Sequence, residues 1–195
     1  MLAVMRDGAF GQGIIYVTPQ QPIYYSDVFD RSTPLDLTGN GIPDYLLICT
    51  LQGVFLAPQG SNSVIADGSL LVAAINQGGV VSSSLDPLYQ WVAASGVPGG
   101  NVTLGASAIF DGQYLYTGNF SWLDAFIGLQ FQLDGATHYG WMEVNNSPNA
   151  AAGQVLGWAY ETSPNTPIVA GAVPEPSTLA LLALSGLAVG ILLRK

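Results

Sequence analysis

The stretch from residue 36 to residue 44 reads DLTGNGIPD, and its oxygen-bearing residues have the spacing of a calcium-binding loop. In such loops alternate residues point inward around the cation, and a glycine at the sixth position permits the sharp bend. Gly41 occupies that sixth position. We therefore predict a calcium site whose candidate ligands are Asp36, Thr38, Asn40, the carbonyl of Ile42 and Asp44.

The predicted calcium site carries little negative charge. Asp36 and Asp44 supply only two carboxylates, and Leu47 stands where an EF-hand has its bidentate glutamate. A site of this kind binds Ca²⁺ with a dissociation constant of about 10⁻⁴ to 10⁻³ M. Asn40-Gly41 also forms good turns unaided, so a turn that holds no metal stays open as the alternative.

The chain has one histidine and one cysteine, and we expect both to be structural. Cys49 ends the apolar run YLLIC, where a buried cysteine packs as a small hydrophobe. His138 begins a predicted strand, where a hydrogen-bonded structural role is expected. Glu143 and Glu161 each end an apolar run and are predicted to be solvated. We therefore expect no enzyme, although two of the 13 acidic residues could pair in space as in a glycosidase.

Four aromatic residues fall within nine positions and alternate with small or polar ones. They are Tyr114, Tyr116, Phe120 and Trp122. On one exposed face of a sheet they would form a flat platform for sugar rings. We expect them to face the core instead, because large aromatic side chains dominate protein interiors.

The candidate ligands and aromatic residues lie on or between predicted β-strands. The strands are short apolar runs rich in β-branched and aromatic residues, and turns containing Gly, Asn and Asp separate them. One short helix is predicted at 85–95, with Asp86 as its cap and Pro87 in its first turn. The regular spacing predicts an all-β fold, an antiparallel β-sandwich or jelly-roll-like body. The predicted strands are 13–18, 23–29, 45–49, 53–57, 70–75, 108–116, 127–133, 139–144 and 154–161.

The composition excludes several classes of protein. Of 195 residues, 49% are hydrophobic and only 9% are charged, so the chain has a core to bury and is not disordered. The net charge is −9, and the basic residues are Arg6, Arg31, Arg194 and Lys195. So acidic a chain cannot neutralise a phosphate backbone, which excludes nucleic acid as a partner. The single cysteine excludes an intramolecular disulfide.

The sequence divides near residue 173, into a body (1–172) and a C-terminal segment (173–195). Pro174, Glu175 and Pro176 open that segment, and an uncharged apolar run from Leu179 to Leu193 follows. Such a run predicts a single hydrophobic helix that inserts in a membrane. By the positive-inside rule Arg194 and Lys195 stay cytoplasmic, which places the body on the far side.

Export of the body creates an expectation about the N-terminus. A body that precedes its hydrophobic segment needs a secretory signal peptide, with a basic stretch followed by an apolar one. The opening sequence MLAVMRDG has neither. We therefore expect a signal peptide that this sequence does not contain.

The C-terminal segment resembles the PEP-CTERM sorting signal of Gram-negative bacteria. The resemblance rests on Pro174-Glu175-Pro176, the span Leu179–Leu193 and the final Arg194-Lys195, in that order and flush with the C-terminus. It implies that exosortase recognises the triplet and removes the segment during surface sorting. The precursor then lies in the inner membrane, and the mature protein lies at the cell surface or outside the cell.

Two functions follow as expectations. The first is a non-enzymatic surface or extracellular-matrix protein, associated with biofilm exopolysaccharide and stiffened by calcium. The second, kept as the alternative, is a lectin-like or weakly carbohydrate-active module that uses the same sorting route. The partners expected are exosortase, the membrane before processing, and an extracellular polysaccharide.

Overall fold

The structure is a computed structural model that describes residues 13–111, 113–120, 124–146 and 152–174. Within these ranges the chain forms β-strands, turns and two short 3₁₀ turns, Ala94–Gly96 and Pro98–Gly100. The strands are β1 Ile14–Val17, β2 Ile23–Ser26, β3 Arg31–Leu35, β4 Tyr45–Thr50, β5 Gly53–Pro58, β6 Ser63–Asp67, β7 Val80–Val81, β8 Tyr89–Ala93, β9 Val102–Phe110, β10 Gln113–Thr117, β11 Ala125–Leu133, β12 Ala136–Asn146, β13 Ala152–Glu161 and β14 Ile168–Val169. The predicted all-β class is confirmed.

The larger sheet has the strand order β1-β13-β12-β11-β6-β8, and its neighbouring strands are antiparallel. β1 and β2 both pair with β13, along residues 158–161 and 152–155 respectively, so they lie end to end beside it. β11 and β12 are joined by Asp134-Gly135, whose φ angles are 52° and 77°. Two positive φ angles are what a two-residue type I′ hairpin needs, and Asp-Gly suits it.

The smaller sheet has the order β10-β9-β5-β4-β3 and shares one hydrophobic core with the larger sheet. Along β4 the side chains alternate between buried and half-buried, which places Tyr45, Leu47 and Cys49 on the core face. The hydroxyl of Tyr45 lies 2.9 Å from the carbonyl oxygen of Ser63 and 2.8 Å from that of Gln130. This hydroxyl therefore connects β4 to β6 and β11 of the other sheet.

A second apolar cluster lies on the opposite face of the larger sheet. Along β12, Met142 and Val144 belong to the shared core, whereas Tyr139 and Trp141 belong to the second cluster. Successive side chains of a strand point to opposite faces, so the two clusters lie on the two sides of β12. The short pair β7–β14 contributes Val81 and Ile168 to the second cluster.

The helix predicted at 85–95 is wrong. Residues 89–93 are β8, which pairs antiparallel with β6 and buries Val92. The Asp86 carboxylate accepts the backbone N–H of Leu88 at 2.9 Å and closes a turn instead of capping a helix. Pairing with an already buried strand outweighs the local helix signals.

Two strand predictions need correction. The stretch 70–75 makes only isolated bridges, with Ala66, Thr103 and Phe126 as partners. The stretch 108–116 is not one strand, because the chain turns at Asp111, where φ is 48°, and β9 pairs back onto β10.

The sandwich or jelly-roll arrangement stays a prediction. The predicted C-terminal helix, Leu179–Leu193, lies outside the described residues. In the part of the chain that the structure describes, no helix is long and apolar enough to cross a membrane.

Candidate functional site

The predicted calcium loop lies between β3 and β4, and Asp36 organises it. One carboxylate oxygen of Asp36 accepts the backbone N–H of Gly39 at 2.7 Å and that of Asn40 at 3.2 Å. The other accepts the N–H of Gly41 at 2.7 Å. The hydroxyl of Thr38 lies 3.4 Å from the first oxygen. The half-buried carboxylate therefore closes the loop as the acceptor of successive backbone N–H groups.

The second predicted carboxylate, Asp44, faces the other side of the loop. It is 6% exposed, and one of its oxygens accepts the backbone N–H of Leu37 at 2.8 Å and of Thr38 at 3.3 Å. Burial raises the pKa of Asp44, and these two N–H groups counteract part of that rise. The carboxylate thus supports the start of the loop from within.

The remaining predicted ligands, Asn40 and Ile42, lie in the exposed part of the loop. The side-chain oxygen of Asn40 accepts the backbone N–H of Ile42 at 2.8 Å, and the Ile42 side chain is exposed. Among the described residues, no group of three or more His, Cys, Asp or Glu side chains could hold a metal ion. The residues therefore make a hydrogen-bonded loop, and the calcium site stays a prediction.

The loop is anchored to the rest of the fold at both ends. The indole N–H of Trp158 in β13 donates to the carbonyl of Leu37 at 3.2 Å. The side-chain amide of Asn62 donates to the carbonyl of Asp44 at 3.0 Å. These two bonds attach the loop to the larger sheet and to the turn before β6.

His138 and Cys49 have the structural roles predicted for them. The Nδ1 of His138 lies 2.8 Å from the carbonyl oxygen of Glu161, and the ring stacks on Phe131 at a centroid distance of 6.1 Å. Cys49 is a free cysteine that is 1% exposed in the core. Neither residue is placed to act as a nucleophile or a general base on a ligand from solution.

The predicted aromatic stretch belongs to the core where the structure describes its side chains. Phe120 is 1% exposed in the shared core, and Tyr116 packs against that core. The side chain of Tyr114 and all of Trp122 lie outside the described residues. The expectation is therefore confirmed for Phe120 and Tyr116, and it stays a prediction for Tyr114 and Trp122.

A cavity of about 300 Å³, which the sequence did not reveal, lies beside the second apolar cluster. It is formed by β1, the turn after residue 75, the start of β11, β12 and the residues that follow β14. We call it the Trp141 cavity. Its main lining residues are Tyr16, Asn76, Gln77, Asp124, Phe126, Trp141, Glu143 and Gly171. It combines three aromatic rings, two amides and two carboxylates.

The carboxylates of the Trp141 cavity interact electrostatically. Burial raises the pKa of Glu143, and the negative charge of Asp124 raises it further. Glu143 is therefore half-buried rather than solvated, which corrects the prediction for this strand end. The same prediction is wrong for Glu161, which is 9% exposed.

The indole of Trp141 is 1% exposed, and its N–H has no hydrogen-bond partner among the described residues. Phe126 packs edge-on against this ring at a centroid distance of 5.1 Å, and Tyr16 lies at 5.8 Å. A buried donor without an acceptor costs about 1–3 kcal/mol, so its presence beside a cavity calls for an explanation.

A second cavity, of about 490 Å³, is lined by Asp67, Ser69, Leu88, Tyr89 and Asn119. Burial alone would raise the pKa of Asp67, but hydrogen bonds from the Asn119 amide and from the N–H groups of Leu71 and Ser69 lower it overall. Here the carboxylate accepts hydrogen bonds from described groups, as the Glu143 carboxylate does not within the described residues.

The body's last packed residues lead directly into the C-terminal segment. The backbone N–H of Ala170 donates to the carbonyl of Gly79 at 2.8 Å, and Ala170 is 1% exposed. Val173 is 48% exposed, and Pro174 after it has no regular secondary structure. The chain therefore leaves regular secondary structure before the Pro-Glu-Pro triplet, although Val173 still lines the Trp141 cavity and Pro174 is half-buried. Glu175, Pro176, Leu179, Leu193, Arg194 and Lys195 lie outside the described residues.

The fold and the way the chain leaves it define an all-β body joined to a C-terminal segment. A family model of the PEP-CTERM protein-sorting motif matches residues 172–195. No curated protein and no solved structure matches the chain. The chain thus carries a PEP-CTERM sorting motif, which confirms the resemblance. The motif implies an exported protein, anchored in the membrane as a precursor and processed by exosortase.

Proposed function

We propose that this chain is a non-enzymatic structural protein of the cell surface or extracellular matrix, associated with biofilm exopolysaccharide. Exosortase removes the C-terminal segment, and the β body remains as the mature protein. The observation that carries the proposal is the place where the sorting motif begins. Ala170 is buried and hydrogen-bonded, whereas Val173, just before the triplet, is exposed.

This placement supports processing without loss of the fold. The shared core and the second cluster draw their described residues from positions up to 170. From the sequence we expect the prolines at positions 174 and 176 to favour an extended triplet, because proline fixes φ and restricts the residue before it. A membrane enzyme can therefore bind an extended segment that no described strand holds.

The non-enzymatic part of the proposal rests on two residues. The chain has one His and one Cys, and His138 and Cys49 are both buried in structural roles. A triad or a Cys-dependent mechanism that relies on either residue is therefore disfavoured.

Intact mass of the protein recovered from the surface and medium of its native host tests the proposal. We expect a product that ends near Pro174, and full-length chain when Glu175→Ala is introduced. Asp30→Ala, which removes an exposed carboxylate from the body, is the matched control and leaves processing unchanged. Full-length protein found only in the inner membrane would show a permanent anchor instead.

The Trp141 cavity favours a second candidate, a carbohydrate-binding body. The half-buried ring of Tyr16 lies beside the exposed amides of Asn76 and Gln77, which offers an apolar face and hydrogen-bond partners together and suits a sugar ring. The tryptophan in the cavity provides the readout. A saturable change of fluorescence with a sugar, lost in Trp141→Phe, supports this candidate, and an unchanged spectrum across neutral and amino sugars counts against it.

A further inference from the structure

We propose that the cavity of about 490 Å³ beside Asp67 binds a neutral hexopyranose residue of a polysaccharide. We call it the Asp67 cavity, and its main lining residues are Asp67, Gly68, Ser69, Leu88, Tyr89 and Asn119. The proposal rests on the second candidate function and gives it a ligand class and a site. It follows from three properties of the cavity: an accessible apolar wall, accessible donors and acceptors of hydrogen bonds, and a rigid framework.

The apolar wall of the Asp67 cavity is open to solvent. Tyr89, the first residue of β8, is 38% exposed, and Leu88 before it is 73% exposed. Tyr89 lies directly opposite Asp67 in the pairing of β8 with β6, so the two side chains are neighbours on one face of the sheet. The C–H face of a pyranose can therefore pack on the tyrosine ring while its hydroxyls reach the carboxylate.

The acceptors of the cavity are two side-chain oxygens held in fixed positions. The side-chain amide of Asn119 donates to Oδ2 of Asp67 at 3.0 Å and to the carbonyl of Val72 at 3.1 Å. The side-chain carbonyl of Asn119, an exposed residue, accepts no hydrogen bond from the described residues. Oδ2 of Asp67 accepts only the Asn119 amide there, and a carboxylate oxygen has room for a second donor. Two hydroxyls of one ligand can donate to these oxygens.

The donors of the cavity lie in the turn after β6. The backbone N–H of Gly68 and the hydroxyl of Ser69 are on exposed residues and donate to no group in the described part of the chain. A hydroxyl both donates and accepts, so adjacent sugar hydroxyls use the donors and the acceptors together. An ammonium group would use the acceptors alone, and a carboxylate would use the donors alone.

The framework of the cavity is a tight turn that hydrogen bonds hold in place. The N–H of Leu70 donates to the carbonyl of Asp67 at 3.1 Å, and the N–H of Asp67 donates to that of Leu71 at 2.9 Å. Leu70 has a φ of 62°, which a leucine rarely adopts, and its side chain packs against the shared core. Such strain persists where the surroundings fix it and is concentrated at binding sites. A turn that is already fixed loses little conformational freedom when a ligand binds.

The charge of the cavity selects a neutral sugar. Burial opposes ionisation of Asp67, but the hydrogen bonds from Asn119 and from the turn outweigh it and lower the pKa, so the carboxylate is charged at neutral pH. The exposed Asp86, whose carboxylate accepts the N–H of Leu88 at 2.9 Å, adds a second negative charge beside the wall. Among the described residues, no basic side chain lines the cavity. A sugar that carries a carboxylate is therefore repelled.

Two-dimensional NMR of the ¹⁵N-labelled full chain tests the proposal, in a detergent without a sugar head group. The probes are the methyl α-pyranosides of glucose, galactose and mannose, together with glucuronate as the anionic comparison. At neutral pH we expect at least one of the neutral glycosides to shift the backbone signals of Gly68 and Ser69 and the side-chain amide signals of Asn119, with saturation. We expect glucuronate to bind about tenfold more weakly than that glycoside.

Variants of exposed residues verify the location. Tyr89→Ala removes the apolar wall and should weaken binding about tenfold. Tyr24→Ala removes a tyrosine that is 53% exposed on β2, so it is the matched control and should leave the affinity unchanged. Ser69→Ala removes a hydroxyl that donates to no described group, so it should weaken binding about threefold without loss of stability. The amide spectrum of each variant verifies its fold.

The other outcomes overturn the proposal in distinguishable ways. Saturable shifts at Tyr16 and Asn76, with none at Gly68 and Asn119, would overturn the location but keep the carbohydrate-binding candidate. Equal binding of glucuronate, or equal loss in Tyr24→Ala and Tyr89→Ala, would overturn the assignment of this cavity to a neutral sugar. If none of the glycosides binds, this proposal and the second candidate function both fail, whereas the sorting proposal is unaffected.

Discussion

The indole N–H of Trp158, in β13, donates a 3.2 Å hydrogen bond to the backbone carbonyl of Leu37, which lies 121 positions earlier in the chain. Trp158 is 1% exposed and Leu37 is 2% exposed, so the bond lies in the core. It fixes the Asp36 loop against β13, the strand of the larger sheet that pairs with β1, β2 and β12. One buried donor thus anchors the start of a loop whose tip is exposed.

Comparison of two tryptophan variants measures this bond. Trp158→Phe leaves the Leu37 carbonyl without its donor, whereas Trp141→Phe removes an N–H that has no partner in the described part of the chain. Both residues are 1% exposed, so the change in packing is matched. We expect urea unfolding to show Trp158→Phe to be less stable than Trp141→Phe by about 1–3 kcal/mol. Equal losses would show that the Leu37 bond contributes nothing.

The Asp36 carboxylate has its own test. Asp36→Ala leaves the N–H groups of Gly39, Asn40 and Gly41 without their acceptor, at a cost of about 1–2 kcal/mol in the free energy of unfolding. Asp30→Ala, an exposed carboxylate before β3, is the control and should change stability by less than about 0.5 kcal/mol. Similar values for the two variants would contradict the organising role of Asp36.

Calcium is tested on the same loop by thermal unfolding. With a dissociation constant of about 1 mM, 10 mM Ca²⁺ stabilises the fold by about 1.4 kcal/mol, which raises the Tm by roughly 3–5 °C. Asp36→Asn, which keeps the size of the side chain, should abolish the increase, and Mg²⁺ should reproduce little of it because it demands a tighter octahedral site. A Tm that Ca²⁺ leaves unchanged would contradict the metal and leave the hydrogen-bonded turn.

Local patterns predicted those parts of the fold that are encoded within a few residues. The apolar run 45–49 predicted β4, and the Asp134-Gly135 turn follows from residue types that tolerate positive φ. The bend at Gly41, where φ is 87°, is equally local. The all-β class and the position of the loop were predictable for that reason.

Features assembled from distant segments were not predictable. The signals near Asp86 and Pro87 indicated a helix, but pairing of β8 with β6 depends on residues more than 20 positions away and outweighs them. The Trp141 cavity joins Tyr16 to Gly171 across nearly the whole body. No spacing in one sequence records which strands will be neighbours, so Asp124 and Glu143 could not be paired in advance.

The pH dependence of stability distinguishes the carboxylates of the two cavities. Burial, and then the charge of Asp124, raise the pKa of Glu143 above its ordinary value of 4.5. The folded protein therefore holds the proton more tightly than the unfolded chain, and the resulting stability is full below about pH 4.5. It is lost as the pH rises through the raised pKa of the folded state.

Glu143→Gln removes this dependence without changing the shape of the side chain. We expect the variant to match the parent near pH 4 and to exceed its Tm by about 1–3 °C at pH 7, because only the parent then carries the repelling charge.

Asp67→Asn should show the opposite sign. Hydrogen bonds from Asn119, Leu71 and Ser69 lower the pKa of Asp67 despite its burial, so its stabilisation is present above the ordinary value of 3.8 and is lost as the pH falls. The variant is therefore expected to be less stable than the parent at pH 7, with the difference shrinking toward pH 3. Parallel curves for Glu143→Gln and Asp67→Asn would contradict the distinction between a carboxylate that accepts no hydrogen bond from the described residues and a hydrogen-bonded one.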